Sequence, residues 1–260
     1  MAAKKYNISV CIIARPDENI NKCLDSLKNQ TYKPKEIVIH REIGKFPVLR
    51  NKVIDKAKYE IIAFIDSDCH AEKHWLEEIN NSFQNKTIIG IYGKVSYELS
   101  GKFPTASTRI VTNDGQDTMT ANAAFKADIL KKIKFDEEIN YLEDKILFKR
   151  ISNYGKIIYS EDSIVFHEYK EWNFKSAIKY AKKVEDFLKA HKKYNFPLKK
   201  IGPIVYPQHI PIILFPPLLL ILYSIRNSKD IKIIIAMYLE KIYTRLLIWK
   251  YAIKNKEFLI

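Results

Sequence analysis

Glycine is scarce in this chain, seven among 260 residues, and follows no period, which excludes collagen-like and glycine-rich repeat architectures. Neither a G-x-G-x-x-G fingerprint nor a Walker-A loop occurs, so the backbone phosphate cradles of dinucleotide-binding and P-loop enzymes are missing. Cysteine is scarcer still. Cys11, Cys23 and Cys69 cannot form a fully paired disulfide framework, and none stands in a C-x-x-C, which points to a reducing compartment. The N-terminal stretch MAAKKYNISVCIIAR has too short an apolar run for a signal peptide, and no small-residue cleavage site follows it. Acidic residues are the minority, 30 against 44 basic, for a formal net charge of +14. Hydrophobic residues, at 47%, are plentiful enough for a real core, so a disordered basic tail protein is excluded.

The charge is unevenly placed. Residues 1–169 carry 26 basic and 24 acidic side chains, net +2, whereas residues 170–260 carry 18 and 6, net +12. A basic excess implies nucleic acid, an acidic membrane surface or an acidic substrate as partner. Here it calls for one explanation of residues 1–169 and another of residues 170–260.

Residues 1–169 alternate strand-like and helix-like runs. Ile8 to Ile13 is short, apolar and β-branched, a buried strand. After the break at Arg15-Pro16-Asp17-Glu18-Asn19, the residues Ile20, Cys23, Leu24 and Leu27 share one helix face. Lys35 to Ile39 reads as a second strand, Val48 to Ala57 as a helix, and Glu60 to Ile65 as a third strand. Trp75, Leu76, Ile79 and Phe83 form another helical stripe. The alternation predicts an α/β fold, a mostly parallel sheet flanked by helices, with the active site beyond the carboxyl ends of the strands.

Residues 170–260 differ in kind. Asn173 to Lys193 is a basic amphipathic helix, with Phe174, Ala177, Ile178, Ala181, Val184 and Leu188 on one face. Ile201 to Ile225 holds no formal charge if His209 is neutral, but Pro203, Pro207, Pro211, Pro216 and Pro217 interrupt it. Ile231 to Ile253 is very apolar yet carries Lys232, Glu240, Lys241, Arg245 and Lys250. A spanning helix needs about 20 apolar residues in succession. The proline breaks favour interfacial or re-entrant helices lying against an anionic membrane, where basic residues contribute about 1 kcal/mol each. A buried helical subdomain covering the sheet is the alternative.

Asp66-Ser67-Asp68 is the sharpest local signal. Two carboxylates end an apolar strand, and a hard divalent cation takes oxygen ligands of this kind together with substrate phosphates. The same residues also suit a surface turn leading into the helix that begins near His74. His70 and His74 are spaced for a zinc pair on one helix face, but His70-Ala71-Glu72-Lys73-His74 is not the H-E-x-x-H of a metalloprotease. Cys69 has no histidine in an order that would make it a nucleophile.

An ordered set of motifs resembles glycosyltransferase family 2, the inverting nucleotide-sugar enzymes of the GT-A fold. Ile13-Ala14-Arg15-Pro16-Asp17-Glu18 stands in the loop after the first strand, and Ser26-Leu27-Lys28-Asn29-Gln30-Thr31-Tyr32 matches the family's S-L-x-x-Q-T-Y. Arg50-Asn51 is similar to its A-R-N helix start, and Phe64-Ile65-Asp66-Ser67-Asp68 to its F-x-D-x-D. Further on, Thr120 to Phe125 resembles the G-x-N segment, Phe135-Asp136-Glu137 the G-F-D-E turn, and Glu143 to Arg150 the E-D-x-x-L-x-x-R motif. Val165-Phe166-His167 completes the order, so that the resemblance covers about residues 7–169. Two departures stand out. The family's V-D-D at the end of the second strand is replaced by His40-Arg41-Glu42, which leaves the nucleoside base open between uridine, guanosine and others. The processive enzymes' Q-x-x-R-W is absent, and Glu171-Trp172 does not replace it, so a single addition is expected.

The resemblance implies roles. Asp144 is the base that deprotonates the acceptor hydroxyl, with Glu143 orienting the acceptor or a nearby loop; proton transfer by a placed carboxylate contributes about 10²–10⁴-fold. An acid favoured by a helix N-terminus is the plainer account of both. Asp68 ligates Mn²⁺ or Mg²⁺ through the donor diphosphate, His167 is a further metal or phosphate ligand, and Asp66 contacts ribose or the donor sugar or assists at the metal. Ala14, Arg15, Glu18, His40, Arg50 and Asn122 complete the donor site; for Arg50 and Asn122 a solvated charge and a turn residue are the alternatives.

The reading is therefore a GT-A catalytic domain, 1–169, with a basic helical tail, 170–260. Its expected reaction is metal-dependent, inverting transfer of one sugar from a nucleotide-diphosphate sugar, UDP-sugar favoured. A lipid-linked or other membrane glycan is the expected acceptor, at the cytoplasmic face of a membrane. The same enzyme with a soluble or protein acceptor, its tail serving packing or oligomerisation, is the first alternative; a non-catalytic basic binding protein is the second. Nucleic acid is not expected, because the aromatics sit in apolar runs rather than interleaved with basic residues along a polar groove. The oligomeric state is open.

Overall fold

A computed structural model describes residues 4–99, 118–169, 174–218 and 231–259. Two compact units divide the described residues after Tyr169.

In the first unit, β1 (Ile8–Ala14), α1 (Asn21–Lys28), β2 (Glu36–Arg41), α2 (Phe46–Lys56) and β3 (Ile61–Ile65) alternate as the hydrophobic pattern predicts. Then come β4 (Cys69–Ala71), α3 (Trp75–Ser82), β5 (Ile88–Leu99), β6 (Asn122–Lys126), α4 (Ala127–Ile133), α5 (Glu143–Ile151) and β7 (Lys156–Tyr169). The seven strands form one sheet in the order β2-β1-β3-β6-β5-β7-β4. Five run one way; β6 runs antiparallel to both its neighbours and β4 antiparallel to β7. The sheet is thus mostly parallel, with helices on both faces.

The two-residue side-chain period of a strand builds the two cores. Ile8, Val10 and Ile12 of β1 and Ile61, Ala63 and Ile65 of β3 face α1 and α3, packing with Cys23, Leu27, Trp75, Leu76 and Ile79. Cys11, Ile62 and Phe64 point the other way, toward Val53, Ile54, Leu130, Leu147, Phe148 and Ile151 of α2, α4 and α5. All five residues of β3 are buried, so its first free position is Asp66, where the chain leaves the sheet.

β2 runs two residues further than the apolar pattern indicates, to Arg41, because its edge position leaves it only half-buried and its end is polar. β5 and β7 pair in parallel over a long register that shifts between Gly93 and Lys94. A side chain at Gly93 would meet the Ser163 carbonyl at 2.1 Å, so only glycine fits there.

The second unit contains α6 (Phe174–Tyr194), the two-stranded β8 (Lys200–Ile201) and β9 (Ile204–Val205), α7 (His209–Leu214) and α8 (Ile231–Asn255). Ala181, Val184 and Leu188 of α6 pack with Val205 and with Leu247, Ile248 and Tyr251 of α8. The basic amphipathic helix expected over 173–193 is α6. The proline-rich run 201–225 yields β8, β9, the short α7 and, at 217–218, two further helical residues among its described residues; its end, 219–225, lies outside them, as do Glu171 and Trp172. No helix among the described residues is long and apolar enough to cross a membrane.

Candidate active site

The site is built where β1, β3 and α5 present polar residues at their ends. Arg50, on α2, is 6% exposed. Its Nη1 donates to Glu143 Oε1 at 2.5 Å and its Nη2 to Asp66 Oδ1 at 3.3 Å. One buried guanidinium thus draws together the carboxylate that ends β3 and the first residue of α5. The planar fork of arginine, unlike a lysine ammonium, suits such a bridge. Its neighbour Asn51 fixes the approach to α5: Nδ2 donates to the Phe135 carbonyl at 3.1 Å and to Glu137 Oε1 at 2.9 Å, and Oδ1 accepts the Phe135 N–H at 2.8 Å. Arg50-Asn51 therefore sets the position of α5 and of the acids at its N-terminus.

Those acids are Glu143 and Asp144, in the first turn of α5, where the helix dipole favours negative charge. Glu143 is buried, and burial pushes its carboxyl up to about 7 against the pull of Arg50. Asp144 is half-buried, and its Oδ1 accepts the Lys145 backbone N–H at 2.7 Å. Burial also raises the Asp144 carboxyl, opposed by Arg50 and by that N–H and helped by Asp66. Arg50 itself loses charge stability to burial but gains more from Glu143, Asp66 and Asp144, which hold its pKa above the ordinary value. An aspartate raised in this way is a better proton acceptor than a free one.

Asp68 and His167 form the second cluster. β4 and β7 pair Cys69 opposite His167, which brings His167 Nε2 to 3.6 Å from Asp68 Oδ1. His167 Nδ1 lies 2.8 Å from the Glu168 carbonyl. A carbonyl only accepts, so Nδ1 donates to it, which leaves Nε2 as the ring nitrogen that faces the carboxylate. An imidazole nitrogen and a carboxylate oxygen at that separation, with the other ring nitrogen anchored to a carbonyl, suit a shared cation. Asp68 keeps 33% of its side chain exposed. Burial raises its carboxyl, His167 opposes this, and Asp66 and Glu18 add to it, so a cation is electrostatically favoured there. Asp68, Cys69 and His167 place one ligand atom each within 4.8 Å of one another. Cys69 is buried and its thiol is held well above its ordinary pKa, first by burial, so it stays protonated while Asp68 and His167 fit as ligands. Oxygen and imidazole donors suit Mn²⁺ or Mg²⁺.

The other expected donor-site residues are distributed as follows. Ala14 ends β1, and its carbonyl accepts the Glu42 N–H at 3.1 Å. Glu18 ties the loop after β1 to the acidic turn, accepting from the Arg15 N–H at 2.9 Å and from Ser67 Oγ at 2.9 Å. Arg15 is exposed in that loop. His40 is turned toward α2, with Nε2 2.7 Å from Glu42 Oε2, and Lys52 pairs with the same carboxylate at 2.5 Å. Asn122 is not brought to the open site: it is 1% exposed and its amide is fully used inside the sheet. Nδ2 donates to the Lys94 and Ser163 carbonyls at 2.9 and 2.7 Å, and Oδ1 accepts from Trp75 Nε1 at 2.8 Å and Ser163 Oγ at 3.3 Å. That saturates an asparagine side chain. His70 and His74 also part: His70 sits in β4 stacked on Phe166, whereas His74 precedes α3 and meets Glu77 at 2.9 Å.

Arg41 is a residue that spacing did not reveal. Its Nη1 donates to the carbonyls of Arg15, Pro16 and Glu18 at 3.0, 3.3 and 2.9 Å, organising the loop beside the acidic turn. The polar end His40-Arg41-Glu42 was visible, but bonds to carbonyls far along the chain leave no sequence pattern.

The family model described as "Glycosyl transferase family 2" matches residues 38–149. No curated protein matches the chain. Among solved structures, the crystal structure of S. aureus TarS 1-349 is 15% identical with a TM-score of 0.50, covering 72% of each chain. The longer S. aureus TarS structure has the same identity and score; the match covers 94% of this chain and 54% of that one. The mannosyltransferase PcManGT from Pyrobaculum calidifontis, in complex with GDP-Man and Mn²⁺, is 13% identical with a TM-score of 0.58, covering 95% of this chain and 88% of that one. At these identities the likeness is one of fold.

Proposed function

Because this chain belongs to glycosyltransferase family 2, matched over residues 38–149, and folds as a GT-A-like α/β transferase, we propose that it moves one sugar, with inversion, from a nucleotide-diphosphate sugar to an acceptor hydroxyl. The observation that carries the reading is the gathering of Asp66, Glu143 and Asp144 around the buried guanidinium of Arg50. Asp144 takes the proton of the acceptor hydroxyl as that oxygen bonds to the anomeric carbon and the bond to the departing diphosphate breaks on the opposite face. Glu143, held by Arg50, fixes the start of α5 and so the direction in which Asp144 points. Glu18 and Arg41 shape the loop that flanks the donor, and Asp66 reaches the ribose or donor sugar. Asp68 and His167, assisted by Asp66, would hold Mn²⁺ or Mg²⁺, which would supply positive charge to neutralise the diphosphate of the donor.

UDP-sugar is the favoured donor. The GDP-Man complex of PcManGT keeps a guanosine donor as the second choice. The acceptor is a lipid-linked or other membrane glycan, with the chain at the cytoplasmic face of a membrane. What supports this placement is the second unit: α8 carries exposed Ile235, Leu239, Leu246, Trp249 and Ile253 along one stripe, in the part of the chain that holds net +12. The test is a panel of UDP- and GDP-sugars with Mn²⁺ and a membrane lipid extract, with and without EDTA. Nucleoside diphosphate release, EDTA-sensitive and coupled to a product of inverted anomeric configuration, is expected. Turnover that EDTA leaves unchanged contradicts the metal, and retained configuration contradicts the in-line step.

A further inference from the structure

The second unit encloses a cation that its described residues do not balance. Arg245 on α8 is 5% exposed, yet among the described residues no carboxylate forms an ion pair with it. Its Nη2 donates to the Tyr206 carbonyl at 3.2 Å, while Nε and Nη1 are buried without a hydrogen-bond partner. His209 is beside it: its backbone N–H donates to the same Tyr206 carbonyl at 2.9 Å, its ring stacks on Tyr206, and its own Nδ1 is likewise buried and unpartnered. Lys241, one helical turn before Arg245, pairs with Glu240, which also accepts from Thr244 at 3.1 Å. With His209 neutral, the net charge of the group is that of one guanidinium. An enclosed charge in that state is strongly unfavourable, and three polar nitrogens of two side chains that share the Tyr206 backbone are left for a partner to relieve.

The neighbourhood says what that partner is. On an α-helix, residues three and four apart are adjacent. Arg245 therefore borders Ile242 and Trp249, which belong to the stripe Ile235, Leu239, Ile242, Leu246, Trp249 and Ile253. All but the half-buried Ile242 are exposed, Ile253 at 81%. Lys250 and Lys254 are exposed beside them. A fork for a tetrahedral anion at the edge of an apolar stripe matches an amphiphile with a phosphate head and a hydrocarbon tail.

We propose that Arg245, with His209, binds the phosphate head of a membrane lipid whose chain lies along the exposed stripe of α8. This rests on the membrane placement above, and its readout needs neither donor nor divalent metal, so failure of the transferase reading leaves it standing. Co-sedimentation of the full chain is measured with phosphatidylcholine vesicles, with and without phosphatidic acid, in EDTA. The unmodified chain binds the phosphatidic acid vesicles more tightly. Arg245→Gln lowers that preference about tenfold or more, the scale of a lost charge-assisted hydrogen-bonded pair, whereas the exposed control Lys250→Gln lowers it about fivefold or less. Leu246→Asp weakens binding to both vesicle types. Without lipid, Arg245→Gln melts at the same temperature as the unmodified chain or higher, because it removes an unbalanced charge. Equal losses for Arg245→Gln and Lys250→Gln overturn the site in favour of diffuse charge attraction. A lower melting temperature together with lost binding assigns Arg245 a packing role instead. Full displacement from the vesicles by inorganic phosphate, with Leu246→Asp without effect, overturns the lipid in favour of the free anion.

Discussion

Arg50 sets the logic of the site. It is buried against the buried Glu143 and the partly buried Asp66, so it stabilises the geometry only while all three partners are present. Removing one member of a buried ionic group leaves the rest uncompensated, at a cost of about 3–5 kcal/mol. Arg50→Met is therefore expected to lower unfolding stability on that scale in urea titration, and Arg50→Lys to recover only part of it, because an ammonium does not reproduce the fork to Glu143 and Asp66. Asn122 makes a different prediction. Asn122→Ala strands Trp75 Nε1 and the Lys94 and Ser163 carbonyls, each lost partner costing about 1–3 kcal/mol. It lowers the melting temperature steeply while the donor KM of the surviving folded fraction stays unchanged. A raised KM with normal stability would return Asn122 to the donor.

At the scale of elements, the strands and helices with strong periodicity, β1, β3, α1, α3 and α6, follow from the hydrophobic pattern alone. The acidic pair at the end of β3 and the Glu143-Asp144 start of α5 are equally legible, since local order and motif order agree there. The reversal of β6 and β4 is not, because direction within a sheet is set by pairing between distant segments. The same holds for Arg41 and for the saturated amide of Asn122: both are explained by partners many residues away. Gly93 is a further case. In sequence it is one glycine of seven; in the fold it is where the β5–β7 register shifts against the Ser163 carbonyl. Gly93→Ala forces the backbones apart and is expected to destabilise by about 3 kcal/mol, the upper end for overpacking, in the same titration. A neutral result would mean that the two strands separate there freely.

The whole molecule combines a nearly neutral catalytic unit with a basic, apolar-faced helical one. The excess charge therefore belongs to residues 170–260 and not to the unit that carries Arg50, Asp66 and Asp144. The second unit adds a pH response of its own. Burial, reinforced by Lys241 and Arg245, lowers the His209 pKa from 6.5 to about 3. The unfolded chain takes up a proton near its ordinary value and the folded chain does not, so stability is full above about pH 6.5 and falls as pH drops toward 3, with a slope of about 1.4 kcal/mol per unit. His209→Gln removes that contribution, and the difference between the two lipid-free chains' unfolding free energies at pH 7 and pH 5 measures it. Identical pH dependence for both would show that His209 titrates normally in the fold.

Asp144 as the proposed base of a sugar transfer is open to direct test. The direct measurement is the initial rate of transfer from the best donor of the panel, at saturating Mn²⁺, by the unmodified chain and by Asp144→Asn. A kcat lower by about 10²-fold or more is expected in the variant, with donor KM within about threefold. A variant that transfers sugar at the unmodified rate would contradict it.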